Sequence, residues 1–256
     1  MEAREIRQPV KIFFFHNQKA GGTSVAHALK ALFPAPRCGP LIVNSLVDHE
    51  QLGGEYTRFR GYDYYGGHYG RDLFDAVADG HLQVTNFRDP AARLVSHYNY
   101  FRYGRHLSPA ELETQRYFAL KVARSASFLE FVSSDDPRLT VYTDNPHFRQ
   151  LTGSCWSPEI SETLLPAACR AIDEMHWFYV CEQADLSRRW ADHAFSSRLP
   201  ALARRNVTTG PTGDFIRLEE LDARTGAIVD QRTRLDRLLY EHAVRRLLAF
   251  SRGDSQ

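Results

Sequence analysis

The chain has 256 residues, 43% hydrophobic and 25% charged, an ordinary globular make-up long enough to bury a sizeable core. A formal net charge of +1 argues against coating nucleic acid or an anionic membrane by bulk electrostatics, so any anion site must be focused. No run of about 18 apolar residues is present and the N-terminal MEAREIRQPVKIFFF lacks a signal core, which reads as a cytoplasmic protein with neither nucleic acid nor membrane as partner.

Residues 10–15 are β-rich and continuously apolar, as in a strand buried on both faces of a parallel sheet. From Thr23 the period changes: Val25, Leu29 and Leu32 fall at i, i+4 and i+7 of a helix that Pro34 and Pro36 end. Residues 61–70, GYDYYGGHYG, read as a glycine-rich loop. Residues 81–87 read as a second strand, after which Asp89 as N-cap and Pro90 in the first turn start a helix over 91–103 with Leu94, Tyr98 and Phe101 as its buried stripe. Residues 116–132 read as helical and 135–153, DDPRLTVYTDNPHFRQLTG, as a long irregular loop. A third strand over 176–183 precedes a helix over 184–199, and a last helix spans 233–250. Strands alternating with helices imply an α/β fold: a parallel β-sheet flanked by helices, in one domain over residues 1–256.

The four cysteines form no C-x-x-C pair, so Cys38, Cys155, Cys169 and Cys181 read as buried reduced thiols, with no metal site. Lysine is more informative: the chain has four lysines against 28 arginines. Lys19, between a strand and two glycines, therefore reads as a deliberate, compact point charge.

The stretch HNQKAGGTS, residues 16–24, carries the first anion signal. Gly21 and Gly22 let backbone approach a ligand, the following helix N-terminus offers N–H groups, Thr23 and Ser24 add hydroxyls, and Lys19 faces the same anion. A plain strand-to-helix turn with a serine cap gives the same pattern. The loop lacks the G-x-x-x-x-G-K-[ST] spacing of nucleotide triphosphatases. Lys19 is followed by Ala20, and the second strand reaches Arg88 before any carboxylate, so the usual magnesium ligands are missing and a ligand handled without metal is favoured.

The second signal, residues 86–98, puts Arg88 at the C-terminal end of a strand and Ser96 in the second turn of the next helix. A guanidinium there can fork two phosphate oxygens while Ser96 donates a third bond; an ion pair and a helix serine bonded to its own backbone are the plain readings. Arg93 reads as a brace for the turn.

Together, HNQKAGGTS and FRDPAARLVSHY resemble the 5′-phosphosulfate loop and the 3′-phosphate segment of sulfotransferases that use 3′-phosphoadenosine 5′-phosphosulfate, in the branch of carbohydrate O-sulfotransferases and their bacterial relatives. The likeness covers residues 10–105 well and the rest weakly. It implies the P-loop-like sulfotransferase fold, transfer of a sulfuryl group to a hydroxyl of a sugar or other small acceptor, and no required metal. It implies that Lys19 contacts the oxygen bridging phosphate and sulfuryl, that Ala20, Gly21, Gly22, Thr23 and Ser24 cradle the 5′-phosphate, and that Arg88 and Ser96 hold the 3′-phosphate. Related enzymes place a base histidine after a glycine in the segment matching GYDYYGGHYG, which selects His68, with His16 as runner-up and Glu50 and Glu55 behind it. Tyr62, Tyr64, Tyr65 and Tyr69 are then candidates to stack on an acceptor.

In relatives a late loop closes over the nucleotide, which points to Asn206 and Thr208 in ARRNVTTGPTG, a segment that reads equally as a solvated turn. DNPHFRQLTG resembles a segment bordering the acceptor cleft, which marks His147 and Arg149 as substrate contacts and 105–160 as an acceptor-side insertion. Gln18 stands where relatives often have proline, and the membrane anchor of the Golgi members has no counterpart here, which separates the acceptor from Golgi glycosaminoglycans. A P-loop small-molecule kinase and a non-catalytic nucleotide-binding protein remain the rival readings; acceptor identity and oligomeric state are not legible.

Overall fold

A computed structural model describes residues 10–40, 45–104, 107–157, 159–196, 199–202 and 214–253. Four short strands, β1 (Ile12–Phe15), β2 (Tyr64–Gly67), β3 (Leu82–Phe87) and β4 (Trp177–Val180), make an all-parallel sheet in the order β2-β1-β3-β4. All four residues of β1 are buried, because helices cover both faces of a parallel sheet and leave no solvent face for polar residues to alternate onto. Phe15 pairs with Gly67 on one side and Thr85 on the other. β1 therefore has β2 and β3 as opposite neighbours, and the crevice at their C-terminal ends is the place where such sheets bind ligands.

Helices α1 (Gly22–Lys30), α2 (Leu46–Leu52), α3 (Arg71–Val77) and α4 (Pro90–Tyr103) belong to the first half of the chain. The start of α4 follows its sequence: Asp89 accepts the N–H of Ala92 at 2.8 Å and Pro90 occupies the first turn. Then come α5 (Pro109–Leu112), α6 (Phe118–Ser125), α7 (Phe128–Ser133), α8 (Pro137–Thr143) and α9 (Pro146–Thr152), followed by α10 (Leu165–Asp173), α11 (Ala184–Ala194), α12 (Ala223–Arg232) and α13 (Arg234–Arg252). One core surrounds the sheet. A second joins Leu94, Tyr98 and Phe101 of α4 to α6, α7 and Val229 of α12, so the apolar stripe of α4 faces the helical layer rather than the sheet.

Several expectations need correction. GYDYYGGHYG is not a loop: Tyr64–Gly67 is the edge strand β2, with Tyr64, Tyr65 and Tyr69 in the core, where they cannot stack on an acceptor. The helix expected over 116–132 breaks at Ala126, and Ser127 and Glu130 restart it as a capping box. The expected irregular loop over 135–153 holds α8 and α9. Pro137 and Pro146 each sit in a first helical turn behind Asp136 and Asn145, where a missing N–H costs nothing. The third strand stops at Val180, before a 3₁₀ turn, and α11 stops at Ala194, ahead of Ser196 with φ 51°. All four cysteines are free, but Cys155 alone is buried. Among the described residues, no helix is long and apolar enough to cross a membrane.

Candidate functional site

His16, His68 and Arg88 directly follow β1, β2 and β3 and so meet on one edge of the sheet. Between them runs the loop to α1, and its shape is set largely by Asn86. The Asn86 amide donates to the carbonyls of Asn17 and Ala20, both at 2.8 Å, while its oxygen accepts the N–H of Asn17 at 2.9 Å. All three bonds are buried, so removing the side chain orphans three backbone groups at about 1–3 kcal/mol each. Asn86→Ala is expected to lower unfolding free energy by at least about 3 kcal/mol and to weaken anion binding by the loop, readable by urea denaturation and by titration with phosphate. A variant of unchanged stability would show that this clamp does not hold the loop.

Lys19 sits at the crest of that loop in the left-handed region, φ 63°, a conformation that costs a non-glycine residue about 1–2 kcal/mol. Arg88 Nη1 donates to the Lys19 carbonyl at 3.2 Å and helps hold it there. The Lys19 ammonium lies 4.0 Å from the ring centroid of Tyr100. Burial, then the nearby Arg88 charge, bring its pKa down to about 8. Two cations close together in a half-buried place disfavour each other's charge, and negative charge bound beside them relieves this. Next in sequence, Gly21 is the N-cap of α1 with φ 74° and has no side chain to cap the helix, in contrast to Asp89 on α4. The first turn of α1 holds Thr23 and Ser24, the Ser24 N–H donating to the Gly21 carbonyl at 3.2 Å; helix N-termini are places where backbone N–H groups can meet an anion. A Cβ on Gly22 would come within 2.1 Å of the His16 ring, so only glycine fits there beneath the histidine.

His68 faces His16 edge-on, ring centroids 4.8 Å apart. Burial pushes the His68 pKa down to about 4, so its imidazole is neutral at physiological pH. Burial and, secondarily, His68 also hold His16 well below the usual imidazole range. The Sγ of Cys155 donates to the His68 carbonyl at 3.4 Å, and Gln150 on α9 donates to the carbonyls of Tyr69 at 2.9 Å and His16 at 3.4 Å. These bonds lash the ends of β1 and β2 together. Both histidines, with Asn17 and Gln18, line a cavity that α4 closes with Arg93 and His97. Arg93, His97 and Tyr100 follow at i, i+4 and i+7, one stripe of α4 turned toward the loop. Ser96 lies beside that stripe, half-buried in the second turn after Arg88.

The remaining candidates fall elsewhere. His147 is buried, with Nε2 bonded at 2.9 Å to Thr85 Oγ1, which itself donates to the Phe15 carbonyl. Arg149 is buried too: it donates to the carbonyl and carboxylate of Asp144, each at 2.6 Å, and to the carbonyl of Ser157. Their neighbours Pro146 and Gln150 reach the cavity, so the segment borders it through other residues than the two expected. Glu50 and Glu55 are exposed and do not line it. Asn206 and Thr208 lie outside the described residues. Arg93 does not brace the turn, because its Nε and Nη2 have no hydrogen-bond partner. Sequence reasoning missed Asn17, Asn86, Tyr100 and Gln150. The stripe at 93, 97 and 100 was available from helical spacing, whereas Asn86 and Gln150 act only through long-range contacts.

The enclosed histidines carry a stability consequence. His16, His68, His97 and His147 are all lowered mainly by burial, to about 4 for His68 and about 3 for His147. The unfolded chain takes up protons near pH 6.5 and the folded protein does not, so this stability is complete above pH 6.5 and is lost as pH falls toward 4. Each such group contributes a slope of about 1.4 kcal/mol per pH unit in that window. The urea midpoint at pH 5 is expected to lie well below that at pH 7; equal midpoints would contradict the burial of these rings.

No protein-family model matches the chain, and no curated protein matches it.

Proposed function

We propose that the protein is a sulfotransferase of the P-loop-like sulfotransferase fold. It transfers a sulfuryl group from 3′-phosphoadenosine 5′-phosphosulfate to a hydroxyl of a carbohydrate or other small acceptor, releasing adenosine 3′,5′-bisphosphate. The observation that carries the reading is the convergence on one sheet edge of a lysine in strained backbone, a helix N-terminus without a side-chain cap, an arginine at the end of β3 and a neutral histidine at the end of β2. These groups suit a donor with one phosphate near Lys19 and α1 and another near Arg88 and Ser96. The acceptor oxygen attacks sulfur in line as the bond from sulfur to the phosphate oxygen breaks. His68 takes the hydroxyl proton, and the Lys19 ammonium meets the charge growing on the leaving phosphate. A sulfuryl group carries less negative charge than a phosphoryl group, so two fixed cations and helix N–H groups suffice to balance it.

The reading is tested by calorimetric titration with adenosine 3′,5′-bisphosphate and with ATP, each with and without magnesium. The bisphosphate is expected to bind without added metal and about tenfold or more weakly to Arg88→Ala, since a charge-assisted phosphate contact contributes about 1.5–3 kcal/mol. Preferential, magnesium-dependent binding of ATP would replace this reading with a small-molecule kinase.

A further inference from the structure

The wall that α4 contributes to the cavity carries more polar capacity than the reaction above uses. Arg93 is 1% exposed, and its Nε and Nη2 have no hydrogen-bond partner. His97, one turn on, is 2% exposed and neither ring nitrogen is bonded. Trp156 is 6% exposed, and its Nε1 is likewise unbonded. All three side chains line the same cavity as His16 and His68. A buried polar group without a partner costs about 1–3 kcal/mol, and more when charged, so three such side chains around one cavity, two from α4 and one from beyond α9, mark a place built to meet polar atoms.

The charge balance says which atoms. Among the described residues, no carboxylate lines the cavity. Asp236 is the acidic group whose field reaches Arg93, and its oxygens already accept the N–H groups of His147 at 3.3 Å and Phe148 at 2.8 Å. His97 in turn feels Arg93 and Lys19, both cations. The local excess is positive, and the residues that carry the unbonded nitrogens line the space. That space is about 30 Å³, enough for one or two waters or a single compact group, and too small for a sugar ring.

We infer that Arg93, His97 and the indole N–H of Trp156 form a buried oxyanion subsite, beside the loop and distinct from Lys19 and Arg88, that receives one compact singly charged group of the sulfate or carboxylate class. Two sources offer that chemistry: the sulfuryl group of the donor, or a carboxylate or sulfate on the acceptor beside its reacting hydroxyl. The choice of source rests on the sulfotransferase reading, whereas the subsite itself does not.

The probe is inorganic sulfate, titrated by calorimetry into protein saturated with adenosine 3′,5′-bisphosphate, so that the phosphate sites are filled. Sulfate is expected to bind wild type and to bind Arg93→Met about tenfold or more weakly, the effect of losing a charge-assisted bond, with partial recovery in Arg93→Lys. Trp156→Phe, which removes the N–H and keeps an aromatic ring, is expected to weaken sulfate about threefold or more and serves if Arg93→Met does not fold. Absence of sulfate binding to wild type, or equal affinity in the folded variants, overturns the subsite and leaves the cavity to water. If the bisphosphate does not bind, the sulfotransferase reading fails on its own; sulfate titrated into nucleotide-free Arg88→Ala still decides the subsite by the same criteria. With sulfate binding established, loss of donor affinity in Arg93→Met, with bisphosphate affinity kept, assigns the subsite to the sulfuryl group. Unchanged affinity for both nucleotides with a raised KM for acidic acceptors assigns it to the acceptor.

Discussion

His68→Ala is expected to lower kcat by about 10²–10⁴ while leaving the affinity for adenosine 3′,5′-bisphosphate unchanged, because a general base acts on the acceptor proton and not on the nucleotide. The position supports the assignment: His68 follows the last residue of β2, opens onto the cavity and faces His16 at 4.8 Å. Its pKa of about 4 keeps it unprotonated throughout the physiological range. An imidazole this enclosed is a weak base in the free protein. Two negatively charged phosphates arriving nearby favour its protonated form, so the bound donor strengthens the base when it is needed. His16→Ala is the discriminating control. That ring is packed over Gly22 at the start of α1, so its loss is expected to disturb nucleotide binding and rate together. A His68→Ala enzyme turning over at the wild-type rate, with His16→Ala inactive but still binding nucleotide, would transfer the role to His16.

Lys19→Met is expected to lower kcat by about 10²–10³, the usual cost of losing a preorganised charge at a leaving group, and to weaken donor binding as well. Lys19 also gives a pH signature. With its pKa near 8 in the free protein, the ammonium is present below pH 8 and lost above it. An anionic ligand binds the charged form, so wild-type affinity for the bisphosphate is expected to fall as pH rises through 8, by up to about tenfold per pH unit. Lys19→Arg stays charged and is expected to flatten that alkaline limb. A limb of equal steepness in Lys19→Arg would mean that another group titrates.

Much of this arrangement was legible because its signals are local. The run IFFF declares a strand buried on both faces, and Asp89-Pro90 declares the start of α4. The same cap-and-proline signal precedes α8 and α9, yet a loop rich in Asp, Asn and Pro carries it equally well. What makes α9 a helix is tertiary: Asn145 Oδ1 accepts the N–H groups of Leu235 and Asp236, while Asp236 accepts those of His147 and Phe148. Each residue caps the other's helix, across some ninety positions of sequence. β2 was illegible for a related reason, since YYGG has weak strand propensity and becomes a strand only because β1 offers it an edge.

The site divides along the same line. Arg88 stands at a strand end, where a residue's place follows once the strand is known, whereas Lys19 lies on the loop beyond β1 and His68 follows β2, a strand that its own sequence does not declare. Arg93 and His97 acquire significance only through what surrounds them, because an arginine at the fourth position of a helix says nothing until its side chain is buried without a partner. His147 and Arg149 show the converse: polar residues in a promising segment that the fold uses to hold Thr85 and Asp144 in place.

The most direct test of the account is incubation with donor labelled in its sulfuryl group, together with a fractionated extract from the protein's own source, following label in acceptor and bisphosphate released. Label incorporated into a hydroxylated acceptor in step with bisphosphate release, and abolished in His68→Ala, is the predicted result. Tight donor binding with no labelled product from any fraction would contradict it and leave a nucleotide-binding protein without transferase chemistry.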